Sequence, residues 1–256
     1  VFNGNFSVHN ENNPNPVAVD FKELNGAVEN LIVRGPNISG DIKALSMQTH
    51  WGVYVEKLTT NYAMTKTAMN FDNLNLKTLH SDITGDIAMK YAEGGLKDFT
   101  TAVDMTVNFK KSKFSTTDLK QFYKEFTPNT SIFLNGLAKG TLNTFKLYNA
   151  RLQTSNDMDF VGQLGIENLF DKTKEFKIFA DIDRLQVSRN QAVSILPNVL
   201  GNALPLIIDN LGAVNASGKF EYGNFAVNAD LDVLTAIGNA NAVFKMQQIN
   251  QKESAK

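Results

Sequence analysis

The sequence predicts a mainly β protein, a mostly antiparallel array of strands built from repeats, with two short amphipathic helices set into it. Strict alternation of apolar and polar residues runs through most of the chain. Each strand pattern has one dry and one wet face, which favours antiparallel pairing over a doubly buried parallel sheet. The text also repeats at a spacing of about 77 residues: Asp82, Ile83, Gly85, Ile87 and Met89 fall opposite Asp159, Phe160, Gly162, Leu164 and Ile166. The match continues with Phe99, Asp104, Met105 and Leu119 opposite Phe176, Asp181, Ile182 and Leu196, and one residue later sets Gly140 against Gly218. Such units complete their apolar faces by stacking on their neighbours.

The elements follow in order. Strand runs are expected at Val17–Phe21, Val28–Val33, Ile38–Ala44, Val53–Leu58 and Met69–Leu76, separated by Asn-rich turns suited to positive φ. Ile83, Ile87, Met89 and Tyr91 then share one face against Asp82, Thr84, Asp86 and Lys90, and Gly94-Gly95 reads as a hairpin turn. Val103, Met105, Val107 and Phe109 alternate with Asp104, Thr106 and Asn108. The first helix is expected over 115–126, with a Ser-Thr-Thr cap, Leu119, Phe122, Tyr123 and Phe126 at helical spacing, and Pro128 to end it. Phe160, Leu164 and Ile166 open the next unit, and a second helical stretch, broken by Pro197 and Pro205, is expected over 188–208. Phe225, Val227, Ala229, Leu231 and Val233 restore the alternation. These boundaries divide the chain into an N-terminal β-rich portion (1–72), two repeats (73–149 and 150–225) and the start of a third with a polar tail (226–256).

The 256 residues suffice for a substantial core, and a formal net charge of −1 gives no field to steer the chain onto nucleic acid or an anionic membrane surface. Without cysteine there is no disulfide, thiolate zinc site or cysteine nucleophile. No apolar stretch approaches the roughly 20 residues that cross a bilayer. Strand text reaches close to both termini, so the chain reads as a segment of a longer protein. The search for chemistry comes back empty. His80-Ser81-Asp82 has triad residue types, but neighbours on a strand point to opposite faces, and a turn is the simpler reading. His50 has no second ligand at metal spacing, and Asp157 with Asp159 or Asp230 with Asp232 reads as a solvated strand face. No enzyme, metal or cofactor is expected.

Residues 194–244, SILPNVLGNALPLIIDNLGAVNASGKFEYGNFAVNADLDVLTAIGNANAVF, set a Leu-Pro helix before a small-residue-Gly-aromatic strand and a strand ending in a Thr and Gly turn. Residues 134–166 carry the same layout, and NLNLKTLHSDITGDIAMKY at 73–91 its second half. This order resembles the TamB family, large AsmA-like proteins of the Gram-negative envelope, through repeat layout and not through invariant chemical groups. The resemblance implies a long curved sheet, a β-taco, whose concave face is an apolar groove. It also implies a periplasmic location, an inner-membrane anchor elsewhere in the full-length protein, and a role in phospholipid transport and outer-membrane biogenesis. Expected partners are phospholipid and a BamA-like outer-membrane barrel protein.

A phospholipid exposes on the order of 30 apolar carbons, at roughly 0.8 kcal/mol each, so it needs a continuous lining to travel through water. The residues expected on that lining are Ile83, Ile87, Met89, Val103, Met105, Val107, Phe160, Leu164, Ile166, Phe225, Val227 and Leu231. The competing expectation is that the same side chains pack on one another and on the two helices, as a closed sandwich or barrel. A further alternative is a β-rich scaffold that assists outer-membrane proteins by strand addition.

Overall fold

The computed structural model describes residues 1–9, 17–171, 173–195, 197, 206–223 and 226–247. Alternation becomes fourteen strands. The first seven are β1 (Gly4–His9), β2 (Val17–Arg34), β3 (Asn37–Thr49), β4 (Tyr54–Met64), β5 (Ala68–Thr78), β6 (Asp82–Lys90) and β7 (Asp104–Ser115). The rest are β8 (Ser131–Gly140), β9 (Phe145–Thr154), β10 (Asp159–Glu167), β11 (Lys177–Ser188), β12 (Ala213–Gly223), β13 (Ala226–Thr235) and β14 (Gly238–Gln247). They form one sheet in sequence order, β1 to β14, every neighbouring pair antiparallel. The sheet is open and curved, with β1 and β14 on its two edges. Among the described residues β1 and β14 do not pair, so these strands do not close into a barrel.

The curvature has a local cause. In β5, β7, β9 and β11 one extra residue sits in mid-strand relative to both neighbours, at Asn73, Lys111, Asn149 and Asp183 respectively. Asn73, Lys111 and Asn149 adopt φ of 54°, 52° and 49°. A bulge bends the strand that carries it, and bulges aligned across neighbouring strands bend the sheet along a single line. Facing that line, the even strands place Gly85, Gly136, Gly162 and Gly218 against Phe109, Ile182 and Leu231. An ideal Cβ on Gly162 would lie 2.2 Å from the Asp181 carbonyl oxygen, so the strands close at the bend only because no side chain stands there.

Side chains of the polar face tie the strands together beside the bend. Asn30 and Asn61 donate to Asp41 (both 2.6 Å), Asn73 donates to Asn61 (3.1 Å) and through its backbone N–H to Asp86 (3.0 Å), and Lys110 pairs with Asp86 (2.5 Å). Side chains thus link β2 to β7 in one ladder. The Lys110 contact and the Asn73 N–H hold the Asp86 carboxyl below its ordinary range, and the Asn30 and Asn61 amides do the same for Asp41.

The 77-residue period corresponds to four strands, two hairpins, with β6 equivalent to β10. The register beyond β6 differs from the textual one. At the bend Gly85 faces Phe109 and Gly162 faces Ile182, so the counterpart of Ile182 is Phe109 and not Met105. Likewise Gly218 corresponds to Gly136, not Gly140. An alternating pattern looks the same after any even slip, so sequence comparison could settle on either.

Other elements depart from expectation. Val17–Phe21 and Val28–Val33 belong to one strand, β2, which carries positive φ at Glu23 and Asn30. Gly94 is not a hairpin turn: it is left-handed (φ 81°) and caps a 3-10 turn, Gly95–Asp98, followed by α1 (Phe99–Ala102). Phe99 is therefore helical, and Phe176 lies just ahead of β11. The helix expected over 115–126 shrinks to α2 (Thr116–Leu119), although its Ser115 cap is present, accepting from the Thr117 N–H. Beyond it Lys120–Phe126 forms turns, because so short a run is marginal as a helix without an apolar face to pack. The 188–208 stretch gives α3 (Arg189–Ile195) and a 3-10 turn at Leu206–Leu211; Leu196, Val199 and Leu200 lie outside the described residues.

Candidate functional site

Cross-strand register brings the apolar residues onto one face as continuous rows. One row runs unbroken from β3 to β14: Ile38, Met64, Met69, Met89, Met105, Gly140, Phe145, Ile166, Ile178, Tyr222, Val227, Met246. The next row inward includes Tyr62, Phe71, Ile87, Val107, Ala138, Leu147, Leu164, Ala180, Phe220 and Ala229. Four of the chain's seven methionines stand side by side in the first row, on β4 to β7. Unbranched, polarisable thioethers give a wall that adapts to irregular apolar guests.

The face is graded. Along the bend Ala150 is fully buried, and with Leu147, Phe160 and Ile182 it makes a packed cluster against which Phe109, Leu134, Leu152, Phe220 and Leu231 lie. Outward from that floor the methionine row is only half-buried. The centre of this face is thus filled by its own side chains, and the methionine row beside it is left partly open.

Of the expected lining residues, Ile83, Ile87, Met89, Met105, Val107, Leu164, Ile166, Val227 and Leu231 are half-buried on this face. Phe160 belongs to the packed floor, and Phe225 lies outside the described residues. Val103 is different: it is the C-cap of α1, fully buried, and the helical connection rather than a strand precedes it. It offers no surface to a guest. Sequence reading missed Met64, Met69, Phe145, Leu147 and Ile178, whose place in the rows follows only once the cross-strand register is known.

One rim of the sheet is built from hydroxyls. The odd strands from β3 onward end in Thr49, Thr78, Ser115, Thr154, Ser188 and Thr235. Each hydroxyl accepts from a backbone N–H of the turn that follows, as at Val53, Ser81, Thr117, Met158, Gln191 and Ile237. This recurring side chain was a signal available in the sequence.

Two of the helical connections, those carrying α2 and α3, lie on this rim. Asp118 of α2 accepts from Thr78 Oγ1 and Ser81 Oγ, both at 2.6 Å, which fastens the β7–β8 connection to the β5–β6 turn. Thr127 N–H donates to Ile195 O, and Asn156 Nδ2 to Ser194 Oγ, which join that connection and the β9–β10 turn to α3. Asp118→Ala leaves two hydroxyls without their shared acceptor and is expected to cost about 2 kcal/mol, since hydrogen bonds to a charged group contribute about 1.5–3 kcal/mol each and Asp118 is only partly buried. Hydrogen exchange should show faster opening of 116–130 while the β9–β11 strands keep their protection.

His50 stacks on Trp51 (ring centroids 4.0 Å apart) with Nδ1 accepting from the Asp20 N–H at 3.4 Å, and the His80 N–H donates to Thr78 Oγ1 within a turn. Scanned against known protein families, curated proteins and solved structures, the chain finds no match in any of the three.

Proposed function

We propose that this chain is a TamB-like segment whose apolar trough carries phospholipid acyl chains between the inner and outer membranes of a Gram-negative envelope, acting in the periplasm without chemistry of its own. The observation that carries the reading is the row from Ile38 to Met246, half-buried at every position but the exposed Tyr222, which crosses twelve strands without a charged residue. An acyl chain moving along such a row exchanges one apolar contact for another at each strand, so its barriers stay local. The packed floor supports the bend, and the methionine wall is the surface offered to the guest.

The test is lipid occupancy. Photocrosslinking residues placed at Met89 and Met105 should capture phospholipid in cells, and native mass spectrometry of the purified chain should show lipid adducts; absence of both sinks the proposal. A second reading is favoured by the sheet edges. Among the described residues no strand pairs with β14 on its outer side, and β1 pairs with β2 only as far as Leu24, leaving Val28, Leu31 and Val33 on a bare and exposed edge. Those edges suit strand addition to a client such as a BamA-like barrel protein.

A further inference from the structure

Three neighbouring turns on the hydroxyl rim expose large apolar side chains that the trough does not use. Trp51 in the β3–β4 turn is 43% exposed, Leu79 in the β5–β6 turn 62%, and Phe122 and Tyr123 in the β7–β8 connection 63% and 51%. They form one patch. The Trp51 and Phe122 ring centroids are 6.0 Å apart, and the Asp118 bonds to Thr78 and Ser81 bring the Leu79 turn alongside α2. The other exposed residues of these turns are His50, Gly52, His80, Lys120, Gln121, Lys124 and Asn129, so their exposed charges are basic; the acids beside them are the half-buried Asp118 and Glu125 and the exposed Asp82 at the start of β6. On a chain of formal net charge −1, that sign is local.

We infer that this rim docks on an anionic lipid bilayer, with Trp51, Leu79, Phe122 and Tyr123 entering the interface and Lys120 and Lys124 against lipid phosphates. Trp and Tyr favour the depth where hydrocarbon meets headgroup, because each has an apolar body and a polar tip. Aliphatic and aromatic tips supply buried area, and flanking lysines supply attraction to negative charge, the two contributions that together hold a protein at a membrane surface. A protein partner of ordinary affinity would be met by a broader patch with its own hydrogen-bonding rim; here the apolar tips stand on separate turns, like anchors. The inference goes beyond the trough reading and does not depend on it, though a docked rim would set the trough beside a bilayer.

The chain's single tryptophan, Trp51, reports the event directly. Its emission should shift to the blue on addition of phosphatidylcholine vesicles containing phosphatidylglycerol, be quenched by brominated acyl chains, and respond weakly to phosphatidylcholine alone or in high salt. Lys120→Glu with Lys124→Glu should weaken vesicle binding by at least about 30-fold, from the contribution of each basic residue near an anionic surface. Phe122→Ser with Tyr123→Ser should abolish insertion. All four positions are exposed, so an unchanged thermal midpoint verifies the fold of each variant. An unmoved Trp51 spectrum at every vesicle composition overturns the inference, as does a blue shift that rises with protein concentration without vesicles, the mark of self-association through the patch. Lipid crosslinked at Met89 with Trp51 silent removes the docking and leaves the trough; Trp51 insertion with an empty trough does the reverse.

Discussion

Gly162→Val is expected to destabilise the sheet by about 3 kcal/mol or more, a large share of the roughly 5–15 kcal/mol that holds a folded protein together. Gly162 sits at the bend with φ 151°, and the ideal Cβ position is 2.2 Å from the Asp181 carbonyl oxygen and 3.2 Å from the Asp183 nitrogen. Those are backbone atoms of the bulged strand next door, so no rotamer relieves the overlap. β11 would have to move away, taking Ile182 out of the cluster it forms with Leu147, Ala150 and Phe160. Gly238→Ala is the control, because Gly238 has a similar φ of 148° with nothing within 4 Å of its Cβ. It should cost about 1 kcal/mol from backbone strain alone. Urea unfolding midpoints of the two variants separate strain from collision: equal losses would mean that the close approach at the bend does not support the fold.

That bend marks the division between what the chain states openly and what it conceals. Alternation at Ile83–Tyr91 and Phe160–Ile166 declared both the strands and the side each residue faces, since period 2 leaves only two choices. The same periodicity hid the register: Met105 and Phe109 are equally good partners for Ile182 by pattern, and only the position of the bulge at Lys111 decides. Asn73 and Asn149 are the extra residues that bend β5 and β9, where an asparagine tolerates left-handed backbone at little cost. The methionine row was half legible. Met89 and Met105 stood out as lining candidates, whereas Met64 and Met69, paired with each other across a tight turn, join them only through the register that sets Met69 opposite Met89. Residues 120–126 misled because Leu119, Phe122, Tyr123 and Phe126 have helical spacing, yet Phe122 and Tyr123 face solvent and give a helix nothing to pack against.

Met89→Asp should empty the trough, and a proline at the β14 edge should not. Met89 stands between Met69 and Met105 in the apolar row, so its carboxylate would face an acyl chain where the wall must be dry. Keeping the carboxylate hydrated forces a break in the row, and burying it unpaired beside hydrocarbon costs several kcal/mol. Either way the amount of phospholipid recovered with the protein should fall by about tenfold or more. Met89 is half-buried, so the fold itself should lose only about 1–2 kcal/mol. Proline at Ala242 or Val243 removes a backbone N–H from β14, and because donors alternate in direction along a strand, one of the two sites removes an outward donor and spares the pairing with β13. A trough that carries lipid is indifferent to that outward donor, whereas an edge that recruits a client strand depends on it. Lipid lost from Met89→Asp and retained by the tolerated proline variant supports the carrier; unchanged lipid in Met89→Asp, with client crosslinking abolished by the proline, transfers the function to the sheet edge.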